Sequence, residues 1–255
     1  MPVGASRRQS SQSGFRCHAS RIGDCPHNGK GGCAPAKQRK HRQAVFRLSQ
    51  AVPLAFRKRP ALFLDRDGII NEEKGHAHRI EDFVFIDGIF DLCRNALTED
   101  MAIVVVTNQA GIGRGYYTED QFMVLTAWMR DRFADEGVVI DGVYYCPCHP
   151  EHGLGKYRCD SFDRKPNPGM ILRAKDELGL SLEDSIFVGD KASDIAAARA
   201  ASVGKAVLMA PAHVCVLPSP DFQADSLHAI NEFLFGPASK GSSSGFFDHT
   251  DSGNK

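Results

Sequence analysis

Five consecutive apolar residues, Ala102 to Val106, run straight into Thr107-Asn108-Gln109. A β-branched run without polar alternation has to be covered on both faces, which describes an interior strand of a parallel sheet. The pattern recurs. Ala61 to Leu64 precedes Asp65, Val138 to Tyr145 precedes Cys146, Ser185 to Val188 precedes Gly189, and Lys205 to Met209 reads as a fifth strand. Helical stretches separate these runs. Ile89 to Leu97 is one, and Glu119 to Phe133 carries Phe122, Leu125, Met129 and Phe133 at helical spacing. Pro168 stands where a helix towards Leu178 should begin. Ala192 to Ala201 and Ser226 to Phe235 supply two more. Strand and helix alternating in this way predict an α/β fold, a doubly wound, Rossmann-like parallel sheet.

The flanks have a different texture. Residues 1–59 hold 13 Lys and Arg against one acid, Asp24. The remainder holds 18 basic and 30 acidic residues, so a +12 segment precedes a −12 one. Residues 1–57 lack a sustained apolar period and read as a disordered basic arm, with one short helical stretch between Ala44 and Phe56. Residues 58–235 form the folded domain, and 236–255, rich in Ser and Gly, read as a disordered tail. No run approaches the roughly 18 apolar residues that span a bilayer, so a membrane role is not expected. An apolar secretory core is also missing, although an Arg-rich, acid-poor arm fits an organellar transit peptide as well. The cytoplasm and a monomeric state are the expectations. A basic arm suits polyanions, but Phe15, Phe46 and Phe56 are too isolated to stack on bases, which argues against a nucleic-acid partner.

Ligands of doubly wound sheets bind just past the carboxyl ends of the strands. Four polar clusters fall there: Asp65-Arg66-Asp67-Gly68, Thr107-Asn108-Gln109, Gly189-Asp190-Lys191, and Arg164-Lys165 ahead of its helix. Two carboxylates two residues apart, a hydroxyl, a lysine and a distant Asp make a set suited to phosphoryl transfer through a carboxylate nucleophile with a divalent ion. Asp65 is the candidate nucleophile and Asp67 the candidate proton donor and acceptor. Thr107 and Lys165 are candidates for binding the phosphoryl oxygens. Asp65, Asp190 and the Asp67 main-chain carbonyl are candidate Mg2+ ligands. Asp190 also reads as a helix N-cap and Asp194 as a supporting carboxylate. Gly68 lets the chain turn away closely. Lys165→Ala is expected to weaken catalysis more than folding. Cys93 and Cys215 lie in apolar contexts and read as core.

The string Phe63-Leu-Asp-Arg-Asp-Gly68 resembles motif I of the haloacid dehalogenase superfamily. More specifically, the chain is similar to the D-glycero-D-manno-heptose-1,7-bisphosphate 7-phosphatase family. The matching strings are Phe83–Gly88, Val105–Gly115, Tyr144–Pro147 with His149-Pro150, Arg164–Met170 and Val188–Lys191, in order over roughly residues 60–210. The resemblance implies a Mg2+-dependent hydrolase with a minimal cap and a Cys-rich loop. It would remove the 7-phosphate of a small phosphorylated sugar through an aspartyl-phosphate, on the way to nucleotide-activated heptose. A histidinol-phosphate phosphatase is the alternative. The resemblance places substrate contacts on Glu73, Lys74, Gly75, His76, Asn108, Gln109, Ala110, Arg164 and Lys191. Glu73-Lys-Gly-His76 departs from the family's Asp-His-Gly-Tyr. The resemblance also implies a structural Zn2+ on Cys146, Cys148 and Cys159, although the family's last cysteine is missing. Asp163, His149 or His152 would be the fourth ligand of a tetrahedron.

Overall fold

A computed structural model of the chain describes residues 58–236. The expected arm, its helical stretch and all but Gly236 of the tail lie outside the described residues, so those expectations are not addressed by it. Strands β1 (Ala61–Leu64), β2 (Ala102–Asn108), β3 (Gly142–Cys146), β4 (Ile186–Gly189), β5 (Lys205–Met209) and β6 (Phe222–Ala224) form one sheet. Its order is β3-β2-β1-β4-β5-β6 and every pairing is parallel. Helices α1 (Ile89–Thr98), α2 (Ala110–Gly113), α3 (Glu119–Asp135), α4 (Gly169–Leu178), α5 (Ala192–Ala200) and α6 (Leu227–Phe235) complete the fold. No described helix is long and apolar enough to cross a membrane.

Alternate residues of each strand feed two separate cores, as a strand of period two requires. On one face Leu62, Leu64, Ile103, Val105 and Val188 pack with α1, α6 and the Leu125, Met129 and Phe133 stripe of α3. On the other, Phe63, Val104, Val106 and Phe187 pack with Met170 and Ile171 of α4 and Ile195 and Ala198 of α5. Each fully buried side chain of this kind contributes about 1.5–3 kcal/mol, so the sheet is a rigid floor for what its loops carry. The Thr118 hydroxyl accepts from the Gln121 N–H to start α3, and Gly179, at φ 67, closes α4.

Three expectations need correction. The third strand begins at Gly142, not Val138. After Gly137 (φ 75) the chain is still unwinding from α3, and Asp141 substitutes for the ladder by accepting the Ile103 N–H at 2.9 Å. β6 was not foreseen, because three residues after Pro218 and Pro220 carry no periodic signal. Cys215 is exposed, whereas Cys93 is buried as expected.

Candidate active site

The sheet order reverses beside β1: β2 and β3 lie to one side and β4 to β6 to the other. The crevice at such a switch point is where ligands bind in open α/β sheets. Asp65 is the first residue beyond β1, and its N–H still donates to Val188 O at 3.1 Å. The chain then turns at Gly68, whose φ is 94 and where an added Cβ would stand 2.2 Å from Asp190 Oδ2. Only glycine allows that turn and that approach together.

Lys165 joins the clusters. Its side chain is buried, and Nζ lies 2.9 Å from Asp65 Oδ1, 2.7 Å from Asp194 Oδ1 and 2.9 Å from Val106 O. The ammonium thus donates to the Val106 carbonyl and pairs with two carboxylates. Burial alone would lower the Lys165 pKa, but Asp194 and Asp65 outweigh it, so the ammonium is held charged. Asp65 Oδ1 also accepts the Arg66 N–H at 2.7 Å, so both contacts fall on one oxygen. Burial pushes the Asp65 carboxyl up to about 7; Lys165 opposes this, while Asp194 and Asp190 add to it. Burial raises Asp190 to about 6, with Lys191 opposing and Asp194 adding.

These shifts report crowded negative charge. One oxygen from each of Asp65, Asp190 and Asp194 lies within 4.8 Å of the others. Asp190 Oδ1 is buried without a hydrogen-bond partner. A buried, unpaired carboxylate oxygen beside two further carboxylates is a donor set that fits a hard divalent cation. Asp190 does not cap α5 as expected: the N-cap is Lys191, and Asp194 Oδ2 accepts the N–H groups of Asp190 and Lys191 at 3.2 and 3.0 Å. Asp194 therefore fixes the loop and the lysine at once, and Gly189 leaves room for it, since a Cβ there would meet Asp194 Cβ at 2.4 Å.

Asp67 is held differently. Burial would raise its pKa, yet Arg66, Asn71 and Gln109 more than reverse that and keep it below the usual carboxylate range. Arg66 Nε and Nη2 donate to Asp67 Oδ1 at 3.1 and 2.8 Å, and Gln109 Nε2 donates to Asp67 Oδ2 at 2.9 Å. Gln109 Nε2 also donates to Thr107 Oγ1 at 2.8 Å.

The cleft over these groups encloses about 320 Å³. Of the expected substrate contacts, Glu73, His76, Asn108, Gln109, Ala110, Arg164 and Lys191 line it. Lys74 and Gly75 do not; Lys74 turns to Glu72 at 3.1 Å. Asn108 and Gln109 spend their amides on protein partners. Glu73 and Lys191 form an ion pair of 2.7 Å at the rim. Arg114, Tyr117 and Ser193 also line the cleft and were not foreseen. Arg114 sits in the Gly-rich run Gly111–Gly115, which offered a signal; Tyr117 and Ser193 offered none. Arg114 Nε is buried without a partner, and neither Arg114 nor Arg164 forms an ion pair among the described residues. Burial lowers the Arg164 pKa, Cys146 opposes this and the Arg114 charge adds to it, so two guanidinium groups line the cleft without an ion-pair partner among the described residues.

The Cys-rich loop departs from expectation. Cys148 and Cys159 are joined as a disulfide with Cα atoms 5.8 Å apart, and Cys146 is a buried free thiol. Two of the three expected zinc thiolates thus satisfy each other. Asp163 is engaged by Arg173 at 2.7 Å, and His149 Nδ1 accepts the N–H groups of Glu151 and His152. The expected Zn2+ tetrahedron is not what this loop forms here.

Comparisons with known proteins agree with the geometry. A family model described as HAD-hydrolase-like matches residues 162–210. A D-glycero-alpha-D-manno-heptose-1,7-bisphosphate 7-phosphatase from Burkholderia mallei is 57% identical over 152 residues, which is 60% of this chain and 80% of the relative. The beta-anomer counterpart from Vibrio cholerae is 49% identical over 151 residues, covering 59% and 81%. Among solved structures, a protein from Mesorhizobium loti described as a had-like phosphatase superposes with TM-score 0.61 at 33% identity, covering 70% of this chain and 88% of that one. A D,D-heptose 1.7-bisphosphate phosphatase from B. bronchiseptica, complexed with magnesium and phosphate, shares the fold at TM-score 0.58 and 24% identity, covering 69% and 97%. On these identities and coverages, the chain belongs to the haloacid dehalogenase-type hydrolases, within the D-glycero-D-manno-heptose-1,7-bisphosphate 7-phosphatase family.

Proposed function

We propose that this protein is a magnesium-dependent phosphatase that removes the 7-phosphate of D-glycero-D-manno-heptose 1,7-bisphosphate. One observation carries the chemistry: Lys165 Nζ bridges Asp65 and Asp194 at 2.9 and 2.7 Å beside the unpartnered Asp190 Oδ1. Asp65, Asp190 and the Asp67 main-chain carbonyl would hold a magnesium ion, which offsets the repulsion between a phosphate anion and an incoming carboxylate. Asp65 Oδ2, the oxygen without a contact to Lys165 or Arg66, attacks phosphorus, and the bond to the sugar oxygen breaks. Asp67 gives that oxygen its proton, then takes one from the water that cleaves the aspartyl-phosphate. Arg66, Asn71 and Gln109 keep Asp67 ionised in the free enzyme, so the proton it passes on would arrive with the substrate as the phosphate monoanion. Lys165 and the Thr107 hydroxyl receive the charge that spreads over the phosphoryl oxygens.

The preference for a bisphosphate is supported by Arg114 and Arg164. A guanidinium fork matches phosphate oxygens in two-point geometry. A ligand with a second phosphate at its far end would supply the counter-charge these two residues lack. The Cys-rich loop would be open to Zn2+ only with Cys148 and Cys159 reduced, and metal analysis of the reduced protein tests that. A cytoplasmic site of action is part of the proposal, and there Cys148 and Cys159 would be held reduced like the free Cys146 thiol.

Phosphate release from both anomers of the bisphosphate, compared with histidinol phosphate, tests the proposal. Turnover of a heptose bisphosphate at a kcat/KM at least about tenfold higher, abolished by chelator, is expected. Faster turnover of histidinol phosphate would replace this reading with the amino-alcohol one.

A further inference from the structure

The amide of Gln109 lies at the centre of a closed chain of hydrogen bonds that the phosphoryl-transfer groups alone do not require. Its Nε2 donates to Asp67 Oδ2 at 2.9 Å and to Thr107 Oγ1 at 2.8 Å, and its Oε1 accepts from the Tyr117 hydroxyl at 2.5 Å. An amide has two N–H donors on one side and an acceptor on the other. All three functions are used. Gln109, Thr107 and Tyr117 are all buried, so water does not compete for them.

The orientation of that amide is set by its neighbours. Asp67 is surrounded by donors, with Arg66 and Asn71 bonding the same carboxylate. It therefore accepts from Gln109, which turns Nε2 towards the site and Oε1 away. Tyr117, facing Oε1, must donate. Its ring is itself fixed, stacked on His78 at 5.0 Å with 1° between planes. Gly111 makes room for it, since a Cβ there would meet the ring at 2.3 Å.

A consequence falls on Thr107. Its oxygen already accepts a proton from Gln109, so its own proton is left for another acceptor, which the proposed role of Thr107 makes the phosphoryl group. We infer that Gln109 and Tyr117 are positioning residues which fix the polarity of the phosphate site: Tyr117 orients Gln109, and Gln109 orients the Thr107 hydroxyl as a donor to the phosphoryl group. The assignment rests on the proposed role of Thr107 and adds to it two residues, of which Gln109 also bonds the proposed proton donor Asp67. With the amide reversed, the threonine proton would turn to the amide oxygen and leave the phosphoryl group without a donor.

A double-mutant cycle between Tyr117→Phe and Thr107→Ala, read as kcat on p-nitrophenyl phosphate with magnesium, tests this. The aryl ester makes the result independent of which sugar the enzyme prefers. Tyr117→Phe alone should lower kcat about tenfold with KM changed less than about threefold, since the donor it orients acts mainly in the transition state. In the Thr107→Ala background the same change should cost less than about twofold, because the group it orients is gone. Gln109→Glu, equal in shape but unable to donate to both partners, should lower kcat by about a hundredfold. It also serves where Tyr117→Phe fails to fold. Full additivity of the two substitutions, or a Gln109→Glu variant within about threefold of the parent, would overturn the inference. A Thr107→Ala protein with unchanged kcat would overturn it too, together with the proposed role of Thr107. Failure to hydrolyse the heptose bisphosphate while the cycle behaves as described would remove the substrate reading alone.

Discussion

Asn108 grips Lys165 by its main chain: Asn108 Nδ2 donates to Lys165 O and Asn108 Oδ1 accepts the Lys165 N–H, both at 3.0 Å. Residue 108 ends β2 and residue 165 lies in the loop before α4, 57 residues away. The pair of bonds sets the height at which the lysine enters the site. Asn108→Ala should lower kcat by about tenfold to a hundredfold with a smaller change in KM, because a displacement of about 1 Å in a charged group is costly. Steady-state kinetics decides this, and a KM effect without a kcat effect would return Asn108 to the role of a sugar contact.

Lys165 itself is less dispensable to the fold than its expected role as a substrate ligand implied. Its ammonium neutralises two buried carboxylates before any substrate arrives. Lys165→Met should abolish turnover and also cost about 3–5 kcal/mol of stability, the usual penalty for leaving a buried charge unpaired. Adding Asp194→Asn should recover part of the stability and none of the activity. Denaturant melts of the three variants give the answer; a Lys165→Met protein as stable as the parent would refute it.

The metal-free protein should respond to pH in a defined sense. Burial raises Asp65 to about 7 and Asp190 to about 6, above the roughly 3.9 of an aspartate in the unfolded chain. The folded state therefore binds these protons more tightly, and their stabilising contribution is full below the unfolded value. It is lost as pH rises through 6 to 7, where the carboxylates ionise against one another. The Tm gain on adding magnesium should accordingly grow between about pH 5 and pH 8, since the cation competes with protons. A gain independent of pH over that window would remove these aspartates from the metal site.

Gly68 ties backbone conformation to the metal ligands. Gly68→Ala would force a left-handed conformation on an ordinary residue, at about 1–3 kcal/mol. It would also push into Asp190, whose Oδ2 stands 2.2 Å from the added carbon. The magnesium concentration for half-maximal activity should rise by about tenfold or more. Magnesium titrations of the variant test this, and an unchanged requirement would separate Asp190 from the ion.

Much of this could be read without coordinates, for physical reasons. Ala102 to Val106 has to be an interior strand because both its faces are apolar, and polar residues clustered just after such strands have to meet at the switch point. Asp65, Asp67 and Lys165 do line one cleft, with Asp190 beside Asp65, whereas Thr107 is buried against Gln109 and does not line it. What could not be read is partnership. Nothing in linear order says that Asn108 and Gln109 turn their amides to Lys165, Asp67 and Thr107, or that Asp194 rather than Asp190 serves α5. Arg114 and Tyr117 reach the cleft only because Gly111 and Gly113 let α2 pack against the Tyr117 ring and Pro147 O, contacts that appear only once the chain is folded. The pairing of Cys148 with Cys159 is invisible for the same reason: three thiols at such spacings suit a metal or a disulfide equally.

The account depends most on Asp65 becoming phosphorylated. Acid-quenched Asp67→Asn protein, in which removal of the phosphoryl group is slowed, can be mapped by peptide mass spectrometry after exposure to p-nitrophenyl phosphate, whose leaving group needs no proton from Asp67, and magnesium. One phosphoryl group on the peptide that carries Asp65, absent with chelator and absent when Asp65→Asn is added, is the predicted result. A phosphoryl group on any other residue, or normal turnover by Asp65→Asn with no protein-bound phosphate, would contradict it.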